Sequence, residues 1–260
     1  MAAPRIELDS ADAIDGRHIR AVAFQEVRLE YVRRVLGDVR PTGGGSALVV
    51  GSGRGDLARG LSRLGFEVTA VDPSPAATKM ARRPGAGERV VYETAPAEDL
   101  GHPAASFDLA YYADTFEITA GLDRVVAQAA RVLRPGGTLC YDTVNRTPLS
   151  RLIYLGAFQG IPQTRIMPRG RYAAARLRRP AELVRALERH GLRNEDICPF
   201  QPANASDLVK TVLARRRGRI TDDQVAAAAG FVLAPDHRPL VTYLGHARKA
   251  ESPSDRSPGT

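Results

Sequence analysis

Short apolar runs alternate with amphipathic stretches along the chain, and residues 47–72 show this pattern most clearly. They open with an apolar run at 47–50, which predicts a buried strand of a parallel sheet. Three glycines at alternate positions follow: Gly51, Gly53 and Gly55. Leucines spaced along one face then predict a helix from about Asp56, and a second apolar run ends on Asp72. The pattern predicts a β–α–β unit with a binding site at its glycine turn.

The same alternation continues through the rest of the chain. Further strands are predicted at 89–92, 106–112, 138–142, 192–198 and 240–247, and helices at 17–36, 75–80, 122–133, 180–191 and 208–217. The run Pro135-Gly136-Gly137 predicts a turn into the fifth strand. Strands that alternate with helices in this way indicate an α/β fold with a doubly wound parallel sheet.

The spacing of the three glycines bears on the ligand. A dinucleotide-binding loop reads G-x-G-x-x-G, whereas here the third glycine comes one residue early and Asp56 takes the place of the last glycine. An acid at a helix N-terminus suits the helix dipole but repels a pyrophosphate. A nucleoside without phosphates, such as S-adenosylmethionine, is therefore favoured, with Asp72 binding both ribose hydroxyls. The alternative is a glycine-rich turn of any doubly wound fold.

Composition limits the class of protein and its partners. The 260 residues are 43% hydrophobic and 25% charged, with a formal net charge of +8, which is typical of a globular protein with one α/β domain. Arginines cluster at 176–179 and 215–219 without interleaved aromatic residues, so a solvated surface is favoured over nucleic-acid binding. Neither Cys140 nor Cys198 lies in a metal-ligand spacing. No signal-peptide pattern or membrane-spanning run is found, so we expect a cytoplasmic location.

Several short segments resemble known methyltransferases. Residues 48–72, 97–100, 107–109 and 133–137 together resemble the class I S-adenosylmethionine-dependent methyltransferases. The runs V-R-L-E-Y at 27–31, D-T-V-N-R at 142–146 and R-P-A-E-L at 179–183 are similar to those of the O-methyltransferases of ubiquinone biosynthesis. The resemblance covers about residues 17–249. It implies one Rossmann-like methyltransferase domain at 16–249, with an N-terminal helical cap at 17–40 and a lid insertion at 149–172. A flexible arm at 1–15 and a disordered tail at 250–260 are expected to flank it.

The resemblance also implies a cofactor, S-adenosyl-L-methionine, and the residues around it. The glycine loop would line its methionine moiety, Asp72 its ribose, and Ala97 and Glu98 its adenine. Arg28 matches a family arginine that contacts the cofactor, although a solvated helix face is the alternative for this residue. The complete predicted cofactor-binding set is Arg28, Gly51, Ser52, Gly53, Gly55, Asp72, Ala97, Glu98 and Ala113.

Two positions depart from the family pattern. Val49 stands where the superfamily has an acid that orders the glycine loop, which predicts weaker cofactor binding. Asp114 and Glu117 remain where some family members have two acids and a histidine, but Ile118 replaces the histidine. Two carboxylates without an imidazole make a poor transition-metal site, although hard cations need only oxygen ligands. We therefore predict no metal. Two exposed acids at a helix start are the alternative interpretation of this pair.

Methyl transfer from a sulfonium is an in-line displacement, for which an enzyme mainly supplies proximity and alignment. A phenol, with a pKa near ~10, needs a base or a cation to lose its proton. The candidate catalytic residues are Asp114, Glu117 and His18. A second histidine, His190, is also a possible base, and a lone histidine is more often structural than catalytic. The predicted function is O-methylation of a phenolic or catechol hydroxyl on a small hydrophobic molecule, either a quinone precursor or a specialised metabolite. N- or C-methylation, RNA methylation and cofactor binding without transfer are the alternatives.

The segment 149–172 combines aliphatic residues with four arginines: Arg151, Arg165, Arg169 and Arg171. A basic amphipathic segment can lie on an anionic membrane surface. Gly156, Gly160 and Pro162 break this one into a short helix and a mobile loop, which favours a lid over the acceptor. The expected partner is a small-molecule acceptor and not a nucleic acid, and peripheral membrane contact through 149–172 is the alternative role of the segment.

Overall fold

The computed structural model describes residues 5–37, 44–82, 89–228 and 230–251. Within these residues, eight strands form one sheet. The strands are β1 (Ser46–Val50), β2 (Glu67–Asp72), β3 (Val90–Thr94), β4 (Phe107–Tyr112), β5 (Leu133–Val144), β6 (Leu192–Pro202), β7 (Phe231–Leu233) and β8 (Thr242–Lys249). The helices are α1 (Gly16–Leu36), α2 (Asp56–Arg63), α3 (Pro75–Ala81), α4 (Leu122–Val132), α5 (Pro148–Arg151), α6 (Pro180–Arg189), α7 (Ala205–Arg216) and α8 (Val225–Ala228). A π-helical turn (Leu152–Ala157) follows α5.

The strand order is β3-β2-β1-β4-β5-β8-β6-β7. Neighbouring strands from β3 to β5 are parallel, whereas β8 runs antiparallel between β5 and β6, and β7 antiparallel to β6. The α/β class is confirmed, and so is the parallel pairing predicted from the first five strands. The antiparallel pairing of β6, β7 and β8 was not predicted. The pattern could not show the difference, because a buried strand has the same apolar run in either direction.

Helices cover both faces of the sheet. The helices α1 and α2 pack on one face, where Phe24 and Leu61 enter the core. The helices α4 and α6 pack on the other face, with Val126 and Leu187 in that core. The order of the strands reverses between β1 and β4, so the C-terminal ends of these two strands flank the crevice in which open α/β sheets bind ligands.

The N-terminal segment differs from the flexible arm that we predicted. Ala13 is 2% exposed and Ile14 is fully buried, and Ile6 forms a backbone bridge with Ile14. The Asp15 carboxylate caps α1 by accepting hydrogen bonds from the first backbone N–H groups of the helix. Residues 5–15 therefore lie ordered against the start of α1, because apolar burial and the cap outweigh the low hydrophobicity of the arm.

Smaller differences concern element boundaries. The predicted turn at Pro135-Gly136-Gly137 lies inside β5, which begins at Leu133 and shifts register against β4 between Phe107 and Leu109. The short elements α8 and β7 were not predicted, because three or four residues carry too little periodicity. The end of the predicted helical cap, 38–40, and the predicted tail from 252 lie outside the described residues.

The segment 149–172 contains most of α5, the π-helical turn and an irregular stretch. Its buried side chains include Tyr154, Ile166 and Met167, which pack in the same core cluster as Ile19 of α1. The Gln159 side chain donates to the carbonyl oxygen of Tyr172 at 2.9 Å and accepts from its backbone N–H at 3.0 Å. These contacts hold the segment across the start of α1.

No helix within the described residues combines the length and the apolar character needed to cross a membrane.

Candidate active site

The glycine loop connects β1 to α2 at the edge of the sheet. Gly51 and Gly53 have φ angles of 76° and 56°, a conformation that favours glycine. A Cβ atom at Gly51 would lie 2.3 Å from the carbonyl oxygen of Ala113, so only glycine allows this close approach of the two strand ends. Gly55 is the N-cap residue of α2, and Ser52 is buried in the loop. Gly51, Ser52, Gly53 and Ala113 therefore share one crevice.

Asp72 ends β2 beside this loop and is fully buried. Its carboxylate accepts hydrogen bonds from the backbone N–H groups of Gly53 at 2.8 Å and Ser74 at 2.9 Å. Val49, which replaces the superfamily acid, is buried in the apolar core and offers no hydrogen bond from its side chain. Asp72 thus orders the loop from the neighbouring strand.

Arg17, in the first turn of α1, pairs with the same carboxylate. Its Nη1 donates to Asp72 Oδ1 at 3.1 Å, its Nη2 donates to Oδ2, and Nη1 also lies 3.3 Å from Asp9 Oδ1. Burial lowers the pKa of the guanidinium, but Asp72 and Asp9 outweigh burial and raise the pKa above its ordinary value. Arg17 therefore carries a permanent positive charge in the crevice.

Two cavities meet at Arg17, which lines both of them. The first lies between the glycine loop and the start of α1, and Arg28 contributes to its wall. The second, of about 180 Å³, lies beside Ala97 and Glu98 and extends to Ile118. The Glu98 carboxylate accepts a hydrogen bond from the Thr119 hydroxyl at 2.5 Å. Ala97 and Glu98, which are predicted for adenine, thus line the second cavity. Of the glycines predicted for methionine, Gly51 and Gly53 line the first cavity and Gly55 does not.

A buried charge cluster adjoins the crevice and consists of Arg20, Arg28, Asp114, Glu117 and Asp142. Arg28 Nη2 donates to Asp114 Oδ2 at 2.9 Å and to Asp142 Oδ2 at 2.8 Å. Arg20 Nη2 donates to Asp114 Oδ1 and lies 3.4 Å from Glu117 Oε1. Two guanidinium groups therefore face three carboxyl groups away from water.

The shared environment moves the pKa values of these acids in opposite directions. Burial raises the pKa of Asp114, but the charges of Arg20 and Arg28 outweigh burial and hold this pKa well below its usual range. Burial and the Asp114 charge raise the pKa of Glu117 to about 8. Burial also raises the pKa of Asp142 to about 6, against the opposing effect of Arg28. The cluster is electrically balanced when Glu117 keeps its proton.

Glu117 is fully buried at the centre of the cluster, and its Oε2 accepts a hydrogen bond from the Thr143 hydroxyl at 2.9 Å. The backbone of Asp114 adopts a φ of 47°, a left-handed conformation that costs energy in a residue other than glycine and that aims the side chain into the crevice. The alternative of two exposed acids at a helix start is therefore wrong. A solvated helix face is likewise wrong for Arg28, which is 1% exposed.

Aromatic side chains from α1 and the segment 149–172 cover the cluster. The Arg20 guanidinium carbon lies 4.8 Å from the ring centroids of Phe24 and Tyr154 and 5.9 Å from that of Tyr172. Arg20 also donates a hydrogen bond to the Tyr154 hydroxyl. Such contacts are favourable for a desolvated cation and fix the guanidinium in place.

The two predicted histidines lie apart from Glu117. His18 Nε2 lies 2.7 Å from Asp223 Oδ1 and its Nδ1 lies 3.5 Å from Asp56, although its side chain reaches the wall of the first cavity. His190 ends α6, and its Nε2 lies 3.4 Å from the largely exposed Asp123. Of the candidate catalytic residues, the structure brings Asp114 and Glu117 together and does not add His18 to them.

Arg17, Arg20 and Asp142 were not predicted as site residues from the sequence. A signal was present, because Arg17, Arg20 and Arg28 follow the same helical stripe as the buried Phe24 and Tyr31. Charged residues in a buried stripe need partners, and those partners are carboxylates at the ends of other strands.

Among the described residues, no group of three or more His, Cys, Asp and Glu side chains is arranged to hold a metal ion.

Comparison with known proteins gives the family. Residues 48–141 match a family described as methyltransferase domain. A relative from Xanthomonas axonopodis pv. citri, named ubiquinone biosynthesis O-methyltransferase, is 34% identical over 186 residues, which cover 70% of this chain and 75% of that protein. This chain belongs to the ubiquinone biosynthesis O-methyltransferase family. A relative with the same name from Agrobacterium fabrum is 34% identical over 181 residues, covering 65% of this chain and 71% of that protein.

The fold agrees with this membership. A solved S-adenosylmethionine-dependent methyltransferase from Mesorhizobium loti superposes with a TM-score of 0.57 at 21% identity, over 89% of this chain and 100% of that one. The family and the fold establish an S-adenosylmethionine-dependent methyltransferase. The residues beside the crevice are of the kind that this cofactor needs, because a glycine loop and a buried carboxylate adjoin two cavities of about 10 and 180 Å³. Together these cavities are smaller than an ordinary ligand pocket of roughly 300–1,000 Å³, so the crevice must widen when the cofactor binds. The roles of the individual residues stay predictions.

Proposed function

We propose that this methyltransferase transfers the methyl group to a phenolic or catechol hydroxyl of a small hydrophobic acceptor, a quinone precursor or a specialised metabolite. The observation that carries the proposal is Glu117, a fully buried carboxyl group whose pKa is raised to about 8 beside the cofactor crevice. A base is most effective when its pKa lies near the working pH. A phenol needs such a base, because it is otherwise protonated at neutral pH.

The cofactor contacts follow from the crevice. The glycine loop, with Ser52, would hold the methionine moiety, Asp72 the ribose, and Ala97 and Glu98 the adenine. Arg28 supports the first of these contacts, because it lines the first cavity and its Nε is buried without a hydrogen-bond partner among the described residues. When bound, the cofactor supplies an electrophilic methyl group on a sulfonium. The residues of the chain provide alignment, which can contribute about 7–11 kcal/mol.

The proton has a path within the charge cluster. In its ionised form, the Glu117 carboxylate takes the proton of the acceptor hydroxyl. When bound, the cofactor would supply the methyl group to that oxygen, and Glu117 would hold the proton that the acceptor hydroxyl gives up. Asp114 cannot serve as this base, because Arg20 and Arg28 hold its pKa too low for proton uptake at neutral pH.

Arg20 has the position of a group that stabilises the acceptor oxyanion. It is 4% exposed, lies 3.4 Å from Glu117 Oε1, and is fixed by the surrounding rings. A preorganised cation in a water-excluded site stabilises developing charge more strongly than it would in water. Its buried Nε has no hydrogen-bond partner among the described residues, so one donor remains for an acceptor oxygen.

The acceptor is proposed to bind beneath the segment 149–172, which we propose acts as a lid. Tyr154 and Tyr172 are buried over the cluster and offer aromatic surface to a flat ring. The Gln159 contact with Tyr172 fixes the shape of the lid, whose side chains pack with Ile19 of α1. Opening is required, because the cluster is shut off from water in this conformation. The rings of Tyr154 and Tyr172 beside Arg20 favour a flat, hydrophobic acceptor.

A panel of acceptors tests the proposal. The purified protein is incubated with S-adenosylmethionine and an alkyl-substituted catechol, and in parallel with the matched aminophenol that offers an amine at the same position. We expect a methyl ether from the catechol, identified by mass spectrometry and NMR. Methylation of the amine nitrogen or of a ring carbon, with no methyl ether, would contradict the proposal and favour N- or C-methylation.

A further inference from the structure

The hydrogen bonds of Asp72 leave no room for another donor. A carboxylate offers about four acceptor positions. Backbone N–H groups take one position on each oxygen, from Ser74 at 2.9 Å on Oδ1 and from Gly53 at 2.8 Å on Oδ2. Arg17 takes the other two, because Nη1 donates to Oδ1 and Nη2 to Oδ2. Ribose hydroxyls can therefore reach Asp72 only if one of these donors leaves.

Arg17 is the donor that is free to leave. The two amides belong to the glycine loop and to the residue that caps α3, so neither can leave without refolding its segment. Arg17 is a long side chain, 12% exposed, between the two cavities. We infer that Arg17 competes with the ribose hydroxyls for Asp72 and so determines how tightly the protein binds its cofactor. This inference rests on the proposed role of Asp72 in ribose binding.

A second acid is available when Arg17 moves. Asp9 Oδ1 lies 3.3 Å from Arg17 Nη1 already, and its side chain is 12% exposed. Asp9 has a φ of 57°, and its N–H donates to Asp15 Oδ2 at 2.9 Å, which fixes it opposite Asp72. The guanidinium thus keeps an ion pair with Asp9 as ribose replaces it at Asp72. The exchange costs part of the ion-pair energy instead of all of it, which keeps the site reversible.

The size of the effect follows from the population of the blocked state. When a binding-competent state holds a fraction of the molecules, the apparent dissociation constant exceeds the intrinsic one by the reciprocal of that fraction. If Arg17 occupies Asp72 in about 90% of the free protein, the cofactor binds about tenfold more weakly than the open site would bind it. Removing the guanidinium should therefore tighten binding, whereas removing an ordinary contact residue weakens it.

Calorimetry with S-adenosylhomocysteine, which needs no acceptor, tests whether removal of the guanidinium tightens or weakens binding. We expect Arg17→Met to lower the dissociation constant about tenfold. Arg17→Lys, which retains a single charge without the two-pronged contact, should lower it severalfold. Arg82→Met is the matched control: Arg82 is exposed and donates to the Tyr92 carbonyl oxygen, so the same loss of charge should leave affinity unchanged. Circular dichroism and thermal melting establish that each variant is folded.

Unchanged or weaker binding by a folded Arg17→Met would overturn the inference. If that variant does not fold, Arg17→Lys decides the question, and unchanged or weaker binding by it has the same consequence. Asp72→Asn separates this inference from the proposed cofactor contacts. If Asp72→Asn binds S-adenosylhomocysteine more weakly but the Arg17 variants do not bind it more tightly, Asp72 contacts the ribose and only the competition by Arg17 is refuted. Unchanged binding by Asp72→Asn removes the ribose contact itself, and the inference with it.

Discussion

Replacement of Glu117 by Gln should make the protein more stable and less active at alkaline pH. Gln is nearly isosteric with the protonated form of Glu, and it can still accept the hydrogen bond from the Thr143 hydroxyl. It cannot ionise, however, and so it removes the buried negative charge that forms when Glu117 loses its proton. A buried acid that destabilises the fold but is kept for function would show this opposite pair of effects.

The magnitude follows from the raised pKa of Glu117, which moves from an ordinary 4.5 to about 8 in the folded protein. The folded state holds the proton more tightly than the unfolded state. The stability that protonated Glu117 contributes is therefore complete below about pH 4.5 and is lost as the pH rises through about 8. Between these limits the free energy of unfolding of the wild type should fall by about 1.4 kcal/mol per pH unit relative to Glu117→Gln. The variant should be about 1 kcal/mol more stable at pH 5 and about 4 kcal/mol more stable at pH 8.

Urea unfolding at pH 5, 6.5 and 8 measures this difference. Glu188→Gln, a change of the same chemistry at an exposed position of α6, is the control and should alter stability by less than about 0.5 kcal/mol at each pH. A stability difference between Glu117→Gln and the wild type that does not change with pH would refute the reasoning. Glu117 would then not hold a proton in the folded protein, and its role as a base would fail.

The remaining predictions concern the cluster, the lid and metal. Arg28→Met leaves two buried carboxylates without their shared cation and should lower the free energy of unfolding in urea by about 3–5 kcal/mol at neutral pH. Arg33→Met, at an exposed position of the same helix, is its control, and equal losses in the two variants would contradict this prediction. Gln159→Ala removes both hydrogen bonds to Tyr172 and should raise the KM for the acceptor without changing the dissociation constant of S-adenosylhomocysteine. If only the dissociation constant of S-adenosylhomocysteine changes, the segment does not act as a lid over the acceptor. Turnover should survive exhaustive treatment with EDTA, because the two arginines already neutralise Asp114 and Asp142, and Glu117 keeps its proton at neutral pH. Loss of activity that magnesium restores would show that Asp114 and Glu117 bind a cation.

The cofactor half of the site was predictable because its residues are close in sequence. The glycine loop and Asp72 belong to one β–α–β unit, whose spacing carries both the turn and the acid at the strand end. Ala97 and Ala113 needed the family resemblance, since an alanine at a strand end has no chemical signal of its own. The structure then placed Gly51, Gly53, Ala97 and Ala113 along one crevice, with Asp72 paired to Arg17 beside it.

The charge cluster could be predicted only in part, because its pairs join distant parts of the chain. Asp114 and Glu117 were singled out, but their partner Arg20 lies about ninety residues earlier, and Asp142 lies at the end of another strand. Periodicity assigns a residue to a helix face without naming the strand opposite it. The direction of β8 was missed for the same reason, since its pairing with β5 is a tertiary choice.

The pH dependence of kcat/KM for a catechol acceptor tests the central claim that Glu117 is the base of an O-methyltransferase. For the wild type, we predict a rise of about tenfold per pH unit that levels off near pH 8, where Glu117 becomes ionised. The Glu117→Gln variant should retain its affinity for S-adenosylhomocysteine but lose this rise together with most of its rate. A folded Glu117→Gln enzyme that methylates the catechol at the wild-type rate, with the wild-type pH profile, would contradict the account.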